Sequence, residues 1–281
     1  MPTFDTPGPI TARLQFSMVI ANVRITAEPR IDTVLEVTPV DPGRKADVRV
    51  AEQTKIEFAG GVLTARAPRL GSLLTRTGAV DVRLRLPEGS SLIGETAMGE
   101  IVTEGSLGEV RLRTAYGDVH IAKAEKLHLR CSSGDVTVVE AGSAEVVASN
   151  GGVDIGRVDG PVKVSNSNGG SRIGEATGEI QVDGANGVVT IDRALGDVVA
   201  RNANGRIEIG EVVRGTVTMT TAAGSLEVGV RQGSAAWLDL NTTAGQVRNE
   251  LLTGGAPADG ENSVTIKART HVGNIVVRRA G

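Results

Sequence analysis

Three acidic residues occupy equivalent places in a repeated pattern. Glu100, Asp118 and Asp135 each directly follow a glycine, one in each of three successive repeats. Strands stacked in a sheet lie about 4.8 Å apart, so repeats that stack would pile these carboxylates into one column. Carboxylates that close can hold a hard cation such as Ca²⁺, or raise one another's pKa. His120 and Asp154 would project from the same strands. The enzyme this arrangement suggests is a carbohydrate-active β-helix with outward carboxylates. The competing reading is plainer: Gly-Asp suits a turn, and the charges face water. The chain contains no Ser/His/Asp order, paired-cysteine motif, phosphate-binding loop or His-Glu-x-x-His site. Its three histidines, His120, His128 and His271, fall in different repeats, with His120 and His128 in outward positions. We therefore expect no catalytic residue, no cofactor and no metal site.

The repeat must position these residues. Glycine recurs at Gly99, Gly117, Gly134, Gly151, Gly169, Gly187, Gly205, Gly224, Gly245 and Gly273, at a near-constant interval as far as Gly224, after which the spacing lengthens twice. A period this short marks a solenoid, each repeat forming one coil stacked on the last. Two residues after each glycine stand Ile101, Val119, Val136, Val153, Ser171, Val189, Ile207, Leu226, Val247 and Ile275. Four after it, a second column runs from Thr103 and Ile121 to Asn249 and Val277, with mostly polar residues between. Alternation of this kind, rich in β-branched residues, describes a half-buried strand.

A second inward strand precedes each glycine. Its columns run from Leu92 to Leu238 and Ile266, and from Gly94 to Leu240 and Ala268. Three residues before the glycine lie small or hydrogen-bonding residues, among them Thr114, Cys131, Asn166, Gly184, Asn202, Thr221 and Thr270. Asn150, Asn168, Asn186 and Asn204 directly precede four successive glycines. Asn-Gly marks a tight turn, since both residues tolerate the left-handed region, and stacked Asn side chains can form a hydrogen-bond ladder. The return is narrow, with Ala124, Ala141, Val158, Ala176, Ala194 and Val212, and is closed by Gly108, Gly142, Gly160, Gly178, Gly196 and Gly215. The expected fold is all-β: a parallel β-solenoid of about 18 residues per coil. On its outer faces Asp154 and Arg172 should be neighbours across coils, as should Glu145 and Lys163.

Residues 1–90 lack the strict period and read as an irregular, strand-rich N-terminal cap continuous with the solenoid repeats of 91–281. Ile10, Ala12, Leu14 and Phe16 alternate, and strands are expected near Thr33–Val40, Lys55–Phe58 and Ala79–Leu86, with a short helix over Lys45–Gln53. The segment 252–262, rich in Gly, Pro and Ala, reads as an inserted loop. A solenoid end exposes unpaired backbone. The cap would cover one end, and Arg278 and Arg279 on the closing strand would guard the other.

Composition narrows the partners. A net charge of −3 gives no nucleic-acid footprint, and an aromatic content of 2% leaves few stacking platforms for bases or sugars. The single Cys131 cannot form an internal disulfide and is expected buried. Met1 to Pro9 lacks the character of a secretory signal, and no apolar run spans a membrane. The expectation is a cytoplasmic protein without membrane insertion, surface exposure left open, as a monomer or small oligomer with an unknown protein partner.

The run Val82-Arg83-Leu84-Arg85-Leu86-Pro87-Glu88-Gly89 leads into tandem Gly-Asp-Val and Asn-Gly repeats, as in Thr114–Ile121, Ser132–Val138, Ser149–Ile155 and Ala203–Ile209. This order resembles the bacterial putative-adhesin family of β-strand-repeat proteins, a domain class of unknown function. The resemblance implies a β-solenoid and, by name, adhesion. Many relatives look membrane-anchored or exported, and this sequence shows no such segment.

The function expected is that of a non-enzymatic structural or interaction protein, adhesin-like, presenting regular faces to a protein partner. A self-assembling scaffold like the bactofilin polymers is the alternative. It needs open ends, which the two caps argue against. The inward columns are directly testable. Val153→Asp or Ile191→Asp buries an unpaired charge and should abolish cooperative unfolding in circular-dichroism melts; a parent-like melt would remove the inward assignment.

Overall fold

A computed structural model describes residues 2–68, 78–251 and 263–281. One short helix apart, every described element is a strand. The chain forms two compact units, Met1–Glu140 and Ala141–Gly281.

The first unit contains β1 (Thr3–Asp5), β2 (Thr11–Glu28), β3 (Asp32–Pro39), α1 (Lys45–Gln53), β4 (Lys55–Ala59), β5 (Val62–Arg66), β6 (Ala79–Pro87), β7 (Ser91–Met98), β8 (Ile101–Tyr116) and β9 (Val119–Ser133), and the division falls inside β10 (Val136–Asn150). Strands β7, β8 and β9 pair in parallel, with Leu92 beside Val110 and Val110 beside Leu127. The aperiodic lead nevertheless supplies a full rung. Strand β2 lies parallel to β7 and β8 on one side, Ala12 beside Leu92 and Val23 beside Ile101. On its other side it lies parallel to β5 and β6, Ala12 beside Leu63 and Val23 beside Val82. The rung of β2 is thus held between two segments that follow it in the chain. Strand β3 then runs antiparallel onto β6 and β1 antiparallel onto β3, while β4 runs antiparallel onto β5.

Helix α1 matches the expected span and buries Val50, but it also buries Asp47. That carboxylate accepts hydrogen bonds from Ala79 N–H (3.0 Å) and Asp41 N–H (3.3 Å), and Arg44 lies 3.6 Å away. A buried acid with these partners ties the helix to the first residue of β6.

The second unit continues from β10 with β11 (Val153–Val158), β12 (Val162–Asn168), β13 (Ser171–Ala176), β14 (Ile180–Asn186), β15 (Val189–Ala194), β16 (Val198–Asn204), β17 (Ile207–Val212), β18 (Gly215–Ala223), β19 (Leu226–Val230), β20 (Ala235–Ala244), β21 (Val247–Asn249), β22 (Ser263–Val272) and β23 (Ile275–Arg279). Odd strands β11 to β19 form one parallel ladder, and even strands β10 to β18 another. Val153, Ser171, Val189 and Ile207 are successive partners in the first; Ala144, Val162, Ile180 and Val198 in the second. All eight side chains are buried, as are Val158, Ala176, Ala194 and Val212 at the return.

Stacking order departs from chain order once more. The rung on β18 and β19 is β22 and β23, with Val217 beside Ile266 and Leu226 beside Ile275. Strands β20 and β21 then pair onto the far side of β22 and β23. The closing strand therefore does not guard an edge, contrary to expectation. Its Arg278 Nε donates to Glu227 Oε1 (2.8 Å), and Arg279 Nη1 donates to the carbonyls of Arg231 (3.0 Å) and Ser234 (2.9 Å). The inward columns fail only on the displaced rung, where Val247 and Asn249 are exposed and Leu238 and Leu240 half-buried. The expected loop 252–262 lies outside the described residues.

The glycine corner explains the period. Gly187 has φ +135°, and a Cβ on it would collide with the carbonyl oxygen of Gly169 in the rung below. Side-chain donors three residues before the glycine satisfy such carbonyls. Asn202 Nδ2 reaches Gly187 O (2.8 Å), Asn166 Nδ2 reaches Gly151 O (3.0 Å), and Thr270 Oγ1 reaches Gly224 O (3.0 Å). The Asn before each glycine does not take the left-handed conformation; among the described residues only glycines do. Those Asn residues form the ladder instead, Asn168 to Asn150 (3.1 Å), Asn186 to Asn168 (3.0 Å) and Asn204 to Asn186 (3.1 Å).

Two expectations follow for urea unfolding. Gly233 also has positive φ, +86°, but open space where its Cβ would stand. Gly233→Ala should lose about 1–2 kcal/mol from backbone strain alone, and Gly187→Ala clearly more; equal losses would mean the close approach is unimportant. Asn186→Ala removes two ladder bonds and Asn204→Ala one, each worth about 0.5–1.5 kcal/mol. The first variant should lose more, and the reverse ranking would argue against the ladder.

Candidate functional site

The acidic column exists, and it is used by a turn. Asp118 O accepts from Ile101 N (2.9 Å) and Asp135 O from Val119 N (2.9 Å), so Glu100, Asp118 and Asp135 do follow one another rung by rung. All three are exposed. Asp118 Oδ1 accepts the backbone N–H of Asp135 at 2.8 Å, which spends one carboxylate on the next corner. Among the described residues, no group of three His, Cys, Asp or Glu side chains is placed to hold a metal ion. Asp154 is engaged elsewhere, with Arg172 Nη1 at 3.4 Å. His120 is half-exposed, and His128 and His271 are exposed on other strands. The structure brings no histidine, carboxylate and nucleophile together from the sequence candidates.

Cys131 is buried, with its Sγ 3.7 Å from the carbonyl oxygens of Gly117 and Gly134. Burial pushes its thiol pKa up; a backbone hydrogen bond at Ser133 opposes this, and the charges of Asp118 and Asp135 add to the rise. A protonated, enclosed thiol is a poor nucleophile. It takes the same role at its corner as the Asn and Thr residues of the other rungs.

What sequence reasoning missed is the order within the charged columns of the second unit. Arg157 lies 3.8 Å from Glu175, and Glu175 3.1 Å from Arg193. Arg193 lies 3.2 Å from Glu211, and Glu211 3.7 Å from Arg231. Five rungs thus carry alternating signs on one face. Beside them Arg172 bridges Asp154 and Asp192, while Arg206 and Arg278 converge on Glu227. The hydrogen bond from Arg278 holds the Glu227 carboxyl below its usual range, Arg206 assisting and burial opposing. The signal was present in the sequence as charges one period apart at matching offsets, Glu175, Arg193 and Glu211.

The first unit has a shallow cleft of about 350 Å³ lined by Arg24, Thr26, Val34, Glu36, Arg83 and Arg85, with Leu84 at its base. Three guanidinium groups suit an anion. Glu36 lies 3.8 Å from Arg83, however, and Thr26 donates to Glu104 at 3.4 Å, so carboxylates are already interleaved with the arginines.

No protein-family model matches the chain, and no curated protein does. Solved structures do show likeness. One is a putative adhesin from Parabacteroides merdae, at TM-score 0.44 and 10% identity over 99% of this chain and 94% of that one. A putative adhesin from Bacteroides fragilis gives TM-score 0.30 and 11% identity over 98% and 95%. A putative lipid binding protein from Parabacteroides distasonis gives 0.33 and 12% over 100% and 94%. The structural neighbours of this chain are thus mostly bacterial proteins described as putative adhesins.

Proposed function

We propose that the chain is a non-enzymatic interaction protein whose regular outer faces meet a protein partner, in an adhesin-like role. The reading begins from architecture. Parallel partners one period apart on two ladders are joined at stacked glycine corners. That arrangement supports a parallel β-solenoid of about 18 residues per coil. Residues 1–90 then serve as a strand-rich cap continuous with the repeats of 91–281, and β2 as the rung that joins them.

The observation that carries the functional reading is the charge ladder from Arg157 to Arg231. It makes a flat, periodic, mostly neutralised face, which suits recognition by an extended complementary surface. Catalysis needs polar groups converging on one point, and the exposed carboxylates of Glu100, Asp118 and Asp135 run along a column, Asp118 accepting the backbone N–H of Asp135. The poverty of aromatics favours a protein over a glycan or a nucleic acid as partner. A second reading, the self-assembling scaffold, gains support from β20 and β21, whose outer side pairs with no described strand.

Among the described residues no helix is long and apolar enough to cross a membrane. The cytoplasmic location is part of the proposal and is tested with it. Affinity capture from fractionated native-host cells should recover a saturable protein partner from the cytosolic fraction; recovery of the chain on the cell surface would overturn the location. Panels of polysaccharide and ester substrates should give no turnover, and turnover abolished by Asp118→Asn or Asp135→Asn would overturn the non-enzymatic reading. Electron microscopy separates the second reading, which alone predicts filaments.

A further inference from the structure

The outermost rung of the second unit is unfinished. Strands β20 and β21 pair with β22 and β23 on one side, and no described strand pairs with them on the other. Columns that are closed elsewhere surface here. Leu226, Val228, Ile275 and Val277 are fully buried, whereas Val247 is 46% exposed and Asn249 is exposed. Trp237, the only tryptophan of the chain, stands 65% exposed on the same edge rung.

The backbone of this edge has a defined polarity. Gln246 O accepts from Ile275 N (2.9 Å), and Glu250 N donates to Val277 O (2.8 Å). Along a strand, alternate residues direct their N–H and C=O to opposite sides. Val247 and Asn249 therefore direct theirs to the open side. An antiparallel strand centred on Asn249 would exchange both hydrogen bonds with it, as a hydrogen-bonded pair requires. The flanking residues Arg248 and Glu250 are exposed, and neither makes an ion pair among the described residues.

We propose that this edge pairs with the same edge of a second copy, antiparallel about a two-fold axis at Asn249. In that register Arg248 of each copy faces Glu250 of the other. The Arg–Glu pairs occupy the non-hydrogen-bonded positions, where side chains approach most closely. The edge is thus complementary to itself in backbone and charge, which is what an isologous contact requires. A two-fold contact closes, so it yields a dimer and not a filament. The inference rests on strand register and unpaired charge alone, independent of the adhesin-like role.

The test is sedimentation velocity on the full-length chain over a wide concentration range. The wild-type protein is expected to pass from monomer to dimer. Arg248→Glu and Glu250→Arg, which fold because both sites are exposed, should each weaken the dimer about tenfold or more, since each sets two like-charged pairs face to face. An equimolar mixture of the two variants should regain dimer, because their charges then complement one another. The double variant Arg248→Glu/Glu250→Arg should regain it as a homodimer. A wild-type chain that stays monomeric overturns the proposal and leaves the edge to a foreign strand. A dimer indifferent to the single variants, or one not restored by mixing them, overturns it as well.

Discussion

At the glycine corners from Gly169 to Gly273 two backbones pass closer than a Cβ would permit. Gly187 has no room above Gly169, and Gly205 none above Gly187. The approach is set by hydrogen bonds between rungs, such as Gly169 N–H to Asn186 O (2.9 Å) and Gly187 N–H to Asn204 O (3.1 Å). The rung spacing must suit those bonds, so the corner can widen only by breaking them. Everything else in a rung adapts. At several corners the residue three positions earlier turns its side chain to a glycine carbonyl, by an amide at Asn166 and Asn202, a hydroxyl at Thr221 and Thr270 and a thiol at Cys131. Satisfying that carbonyl matters because an unpaired buried carbonyl costs more than a hydrogen bond gains.

In-register parallel pairing sets a second rule: each residue lies beside its own equivalents. A column must therefore tolerate itself. Apolar columns do so by packing. An Asn column does so because one amide is both donor and acceptor, as Asn168 is between Asn150 and Asn186. A column of one charge cannot by itself: one column of the second unit alternates from Arg157 through Glu175, Arg193 and Glu211 to Arg231, and where Glu208 lies beside Glu227, Arg206 pairs with both. Each exposed pair contributes only about 0.2–1 kcal/mol. Its larger effect is on register, since a slip by one rung would set like charges together. The acidic column of Glu100, Asp118 and Asp135 breaks the rule, and there Asp118 Oδ1 accepts the backbone N–H of Asp135.

Much of this was legible because it is periodic. The inward columns, the Asn ladder, the buried Cys131 and the helix Lys45–Gln53 all follow from residue type and spacing. What was not legible is which rung neighbours which. A period reports the length of a coil and is silent on the order of stacking. The inversion that seats β22 and β23 inside β20 and β21 leaves each strand's pattern unchanged. The β2 rung was hidden for a related reason: Ala21 stands below Gly99 where other rungs have glycine, so nothing in the sequence marked the corner. The burial of Asp47 left no trace in the sequence because its partners, the N–H groups of Ala79 and Asp41, come together with it only on folding.

The inversion also changes how the edges are managed. In the first unit the rung of β5 and β6 is covered by antiparallel strands, β3 on β6 with β1 on β3, and β4 on β5, with α1 fastened by Asp47. Antiparallel pairing ends a parallel stack, because the covering strand no longer offers the same columns in the same order. In the second unit the outer rung still presents inward columns in the order of the stack, half-covered. Exposed charge is the usual guard of such an edge, but charge of one sign repels every copy of itself. Arg248 and Glu250 carry both signs two residues apart, so they repel a strand in most registers and accept one in which the signs cross. An edge so marked is selective rather than closed. It is also the one place in the second unit where the rule that governs its interior, that each column must tolerate its neighbour, is left for another strand to satisfy.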